Sequence, residues 1–105
     1  MSAREVAVKG SARVELAAYG VADAEHQVEK ELRALWPGAR IVVLEVARVD
    51  PESRIVEAFA IRYQLRGTVP VEAESDDAAR RDAFRHLRER FAGTRHARIA
   101  WEAGT

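Results

Sequence analysis

The feature that most constrains this chain is a pattern that occurs twice. Val8-Lys9-Gly10-Ser11-Ala12-Arg13-Val14-Glu15 lies without a gap over Leu65-Arg66-Gly67-Thr68-Val69-Pro70-Val71-Glu72. Further along, Leu32-Arg33 meets Leu87-Arg88, Trp36 meets Phe91 and Gly38 meets Gly93; a two-residue adjustment then brings Arg40-Ile41 onto Arg98-Ile99. Each half reads as a strand, a helix ending in aromatic-x-Gly, and a second strand. At 105 residues the chain is one domain, residues 1–105, with repeat halves at about 5–49 and 55–102.

The elements follow from apolar spacing. From Glu5 to Ala18, Val6, Val8, Ala12, Val14, Leu16 and Ala18 share one parity, the pattern of a long half-buried strand, with Gly10 on the apolar side predicting a bend or bulge. Asp23 is the expected cap of a helix whose stripe is Ala24, Val28, Leu32 and Leu35, and Pro37-Gly38 ends it near Trp36. Ile41 to Val49 is a second strand, followed by the turn Asp50-Pro51-Glu52-Ser53. In the third strand, Ile55, Phe59, Ile61, Tyr63, Leu65, Val69 and Val71 fall on odd positions; its length and Pro70 predict a break near Gly67 and a side left unpaired. Ser75 with Asp76 and Asp77 opens a helix with the stripe Ala79, Ala83, Phe84, Leu87 and Phe91, stopped by Gly93. His96 to Glu102 alternates as a last strand.

The order strand, helix, strand, strand, helix, strand predicts an α+β fold: a βαββαβ plait with a four-stranded antiparallel sheet and both helices on one face. This order resembles the ferredoxin-like plait over the whole chain, a topology that hosts many unrelated functions and so implies none. A second, shorter likeness runs from Leu65 through Val71-Glu72-Ala73 into Asp77-Ala78-Ala79-Arg80-Arg81-Asp82-Ala83 and Leu87. That run resembles the strand-to-last-helix passage of ribosome-hibernation domains. It covers about a quarter of the chain, and the extra strand at Ala97 to Trp101 departs from that pattern, so no ribosome contact is carried over.

Composition removes several function classes. Lys and Arg number 17, as do Asp and Glu, so the chain lacks the surplus of a generic polyanion binder. With no Cys, disulfides, thiolate metal sites and cysteine nucleophiles are excluded. No apolar run has the length of a signal peptide or a membrane span, which predicts a cytoplasmic protein with no membrane partner. Gly-x-Ser-x-Gly, GxGxxG, P-loop and metal-ligand spacings are all missing, so no cofactor and no metal are expected.

What remains is a short set of candidates. Lys9, Gly10, Ser11, Arg66, Gly67 and Thr68 form the ligand-binding candidate: side by side in a plait, two side-chain-free positions flanked by cations and hydroxyls suit an anion. Val56, Ala58, Ala60 and Arg62 form the interface candidate, small residues on the outward face of a central strand. His86 and His96 are the weaker catalytic candidate, as an acid–base pair. The outward face gathers Lys9, Arg13, Arg62, Arg66 and Arg98, but Tyr63 and Phe59 lie on the opposite parity, so the aromatic platform of single-strand RNA readers is missing. The sequence therefore favours a non-catalytic binding or assembly module, a self-associating accessory subunit or small-ligand carrier, with a homo-oligomer or partner protein as its company. An RNA- or ribosome-associated module using Arg62, Arg66, Arg81, Arg85 and Arg88 is the alternative. A cofactor-free paired-sheet barrel enzyme is the second alternative.

Overall fold

The computed structural model describes residues 2–49 and 56–104. The elements are β1 (Ser2–Ala18), α1 (Val21–Leu35), β2 (Arg40–Arg48), β3 (Glu57–Ala73), α2 (Asp76–Phe91) and β4 (Ala100–Ala103). They build an α+β fold whose four-stranded antiparallel sheet has the order β2-β3-β1-β4, compatible with a plait. The turn at Asp50 to Ser53, and Ile55, lie outside the described residues.

The backbone of the fold is the β1–β3 pair. Its register runs from Ser2↔Ala73 to Ala18↔Glu57 without a shift. Seventeen residues per strand, at about 3.4 Å each, span the 57 Å long axis of the molecule. The predicted bend at Gly10 and break at Gly67 are therefore corrected: both strands run straight through. The irregularity sits instead in β2, where the register shifts between Val43 and Glu45 and Leu44 is the extra residue. Pro70 lies beyond Arg66, the last β3 residue that β2 pairs, so among the described residues one of its sides has no neighbouring strand.

Alternation makes the sheet two-faced. Val8, Val14, Leu16 and Ala18 of β1 join Phe59, Ile61, Tyr63, Leu65, Val69 and Val71 of β3 in one core beneath both helices. Helix α1 adds Ala24, Val28 and Leu32, and α2 adds Ala79, Ala83, Leu87 and Phe91, the stripes read from the sequence. Ser75 caps α2 as expected, its Oγ accepting from the Ala78 amide at 3.1 Å. Asp23, by contrast, is not the cap of α1. The helix begins at Val21, and Asp23 reaches back from the first turn to accept from the Tyr19 amide at 2.9 Å.

The last strand is shorter than predicted. His96 to Arg98 lie in a turn, and β4 pairs with β1 only from Ser11↔Ala100 to Val8↔Ala103. The turn is set by Thr94, whose carbonyl accepts from the Ala97 amide at 3.2 Å and whose Oγ1 accepts from the His96 amide at 3.1 Å.

The two repeat glycines act as seats for rings. A Cβ at Gly67 would stand 2.7 Å from Trp36 Cζ2; at Gly10 it would stand 2.6 Å from Ile99 Cγ2 and 2.7 Å from the Trp101 ring. Trp101 in turn meets Trp36 edge-on at 5.9 Å and Phe91 at 5.3 Å between centroids. Both tryptophans of the chain thus close the middle of the core over a glycine. Gly67→Ala should displace Trp36, destabilise the protein by about 1–3 kcal/mol and alter the near-ultraviolet dichroism, as read by urea unfolding and spectroscopy. Unchanged stability and spectrum would contradict this packing.

Candidate functional site

The outer face of the sheet is where polar side chains gather, and strand register orders them into rows. Because residue i of β1 pairs with 75−i of β3, as in Ser2↔Ala73, and the repeat offset is 57, as from Val8 to Leu65, the repeat's two-fold passes through Lys9↔Arg66. Arg66 also pairs with Arg40 on β2, and Lys9 with Glu102 on β4. One row across all four strands therefore reads Arg40, Arg66, Lys9, Glu102. The next row is Val42, Gln64, Ser11, Ala100, followed by Glu45, Arg62, Arg13.

Three cations stand side by side in the first of these rows, although like charges directly opposite one another weaken a ladder. Lys9 reaches Glu102 at 3.6 Å. Among the described residues, neither Arg40 nor Arg66 has a carboxylate at ion-pair distance. Two rows away the cations are neutralised, Arg62 by Glu45 at 3.4 Å and Arg13 by Glu15 at 3.0 Å. A depression of about 180 Å³ lies over the cation row, lined by Lys9, Ser11, Arg40, Gln64, Arg66 and Glu102 among others.

The six ligand-binding candidates are thus divided. Lys9, Ser11 and Arg66 line the depression, and Gly10 only along its backbone edge. The side-chain positions of Gly10 and Gly67 point the other way, into the core, where Ile99, Trp101 and Trp36 fill the space, so they offer no niche for an anion. Thr68 is exposed one row further on, paired with Ala7. Arg98 is displaced as well: it lies exposed in the turn, not on the sheet. Arg40 was not singled out from the sequence, because only the β2–β3 register places it beside Arg66.

The interface candidates sit at the far end of the same face. Ala58, exposed, pairs with Ala17, and Val56 precedes the strand at 42% exposure, but Ala60, paired with Glu15 and Ala47, is buried and offers no surface. Arg62 borders this patch, held to Glu45.

The histidines are not brought together. His86 is exposed on α2 near Thr68, Pro70 and Arg90, whereas His96 lines a separate depression with Glu31, Ala34, Leu35, Thr94 and Arg95. His96 is 2% exposed and sits in a chain the sequence did not reveal. Tyr63 Oη lies 2.8 Å from His96 Nδ1, and His96 Nε2 lies 2.7 Å from Glu31 Oε1; Arg95 also binds Glu31. With the imidazole proton on Nε2, Tyr63 donates to Nδ1 and Nε2 donates to Glu31, so every group is satisfied. Burial, with the Glu31 charge behind it, pushes the Tyr63 hydroxyl far up, so it stays protonated. At 0% exposure it has no access to a substrate, and the chain serves as a clasp between α1, β3 and the turn after α2. Among the described residues no group of three or more His, Asp or Glu is placed to hold a metal ion.

Burial raises the Glu31 carboxyl, but hydrogen bonds and charge from Arg95 and His96 outweigh it and hold the group below its ordinary 4.5. A lowered native value means stability that is present above pH 4.5 and lost as the pH falls through that native value. Urea unfolding of wild type and Glu31→Gln should therefore differ at neutral pH and converge in acid; a gap independent of pH would contradict the clasp. Tyr63→Phe, which leaves His96 Nδ1 without its donor, should cost about 1–2 kcal/mol at pH 7 by the same measurement.

Comparison with known proteins finds no matching family model, no similar curated protein and no similar solved structure, so the function is read from this geometry alone.

Proposed function

We propose that this chain is a non-catalytic binding and assembly module, a small ferredoxin-like plait of the cytoplasm that associates with a second copy of itself. The observation that carries this reading is where apolar surface is left uncovered. Among the described residues the exposed large hydrophobics are Tyr19, Val21, Val42, Leu44, Val49 and Val56. Val42 and Leu44 lie on β2, an edge strand. Tyr19, Val21, Val49 and Val56 flank the sheet end at which Ala18 meets Glu57, beside the exposed small residues Ala17 and Ala58. Apolar surface gathered at one end and one edge is the mark of a contact surface.

A second copy suits this surface. The molecule carries no net charge, so two copies do not repel as wholes. Beside the patch, Arg13 and Arg62 stand next to Glu15 and Glu45, a mixed rim that a two-fold partner can match.

Two features favour this over RNA binding. Tyr63 and Phe59 are fully buried against the helices and cannot stack bases, and Arg85 is engaged by Asp82 at 3.4 Å. The acid–base pair of the enzyme alternative is not assembled, because His86 and His96 lie in separate depressions.

Size-exclusion chromatography with light scattering should give a dimer or higher species at micromolar concentration. Ala58→Glu combined with Val49→Glu should shift it at least tenfold toward monomer while leaving the circular dichroism intact. A wild type that stays monomeric at every concentration tested would overturn the proposal.

A further inference from the structure

We propose that the outer sheet face binds a small, doubly charged anion of the phosphate or dicarboxylate type across Arg40, Arg66 and Lys9. This takes up the binding half of the reading above and does not depend on self-association. The cation row lies eight residues along β1 from Ala17, about 27 Å from the sheet end that carries Val49 and Val56, while Val42 of the β2 edge borders both surfaces.

Charge pairing sets this row apart. Arg62 and Arg13 each have a glutamate partner, while the row of Arg40, Arg66 and Lys9 has three cations and the single carboxylate of Glu102, which engages Lys9. Placing Arg66 between two cations costs stability that nothing within the described chain recovers. A dianion lying over the row restores it: two guanidinium forks from adjacent strands present parallel donors to its oxygens, and Lys9 adds a third charge. Ser11 and Gln64, one row on, offer a hydroxyl and an amide to an uncharged part of the ligand. Size limits the occupant. The depression holds about 180 Å³, below the roughly 300 Å³ at which pockets for drug-sized ligands begin, which suits a single phosphate or short diacid. Glu102 at one end sets an orientation, with the anion held toward Arg40 and Arg66.

Thermal unfolding in sodium phosphate, sodium succinate and sodium chloride of matched ionic strength tests this. Phosphate or succinate should raise Tm saturably beyond chloride, with a Kd of about 1 mM or tighter, and the stronger of the two arms identifies the anion class. Arg66→Gln and Arg40→Gln should each weaken that response at least tenfold. In the absence of anion both should raise Tm by about 2 °C or more, because a like-charged neighbour is gone. Glu102→Gln should strengthen binding, and Arg13→Gln should leave it unchanged. The Ala58→Glu, Val49→Glu variant should keep the full response, which separates this proposal from self-association. Equal shifts in all three salts, a response surviving both arginine variants, or Arg66-dependent binding of a single-stranded RNA without any small-anion response would each overturn it.

Discussion

Everything in this molecule is arranged around the unbroken antiparallel pairing of β1 with β3. Its length exceeds what either helix can cover: 15 and 16 residues at about 1.5 Å make helices of roughly 22 and 24 Å against a 57 Å ribbon. Each helix starts at its own end of the ribbon. Helix α1 begins beside Ala18 and finishes at Trp36, over Gly67; α2 begins beside Ala73, where Arg4 holds Asp76, and finishes at Phe91, against Trp101 over Gly10. The core is continuous only because large rings meet over two positions without side chains.

This division of labour explains which parts of the structure were legible in the sequence. Parity along β1 and β3, the helix stripes, the Ser75 cap and the Trp36 and Gly93 stops follow local rules that one segment obeys alone. The repeat correctly marked Gly10 and Gly67 as equivalent, but an absent side chain looks the same whether it admits a ligand or a tryptophan. The choice depended on Trp36 and Trp101, which are distant along the chain. The last strand is misplaced at His96 for a related reason: the alternation of Ala97, Ile99 and Trp101 suggests a strand from there, yet Thr94 turns the backbone and the His96 ring packs inward against Tyr63 and Glu31. Arg40 could be recognised only from the β2–β3 register, which the Leu44 bulge shifts by one residue.

The two faces of the sheet solve opposite problems. Beneath the helices the Tyr63–His96–Glu31 clasp satisfies each of its members, as low dielectric makes an unpaired group costly there. On the outer face water screens charge, and a row of like cations at one register is tolerable. The repeat's two-fold passes through that row, so the cation preceding each glycine stands opposite its equivalent.

The β1–β3 pair also has a kinetic consequence. Its innermost rung, Ala18↔Glu57, joins residues 39 apart, and its outermost, Ser2↔Ala73, joins residues 71 apart. No rung of the central ladder can form from neighbours in the chain, so the whole intervening helix and strand must be gathered before the first one closes. Local helices will come early and the defining pair of strands late, so the chain should fold slowly for its size. A newly made copy would then leave the ribbon's strands open to other chains for longer than a compact helical domain of equal length.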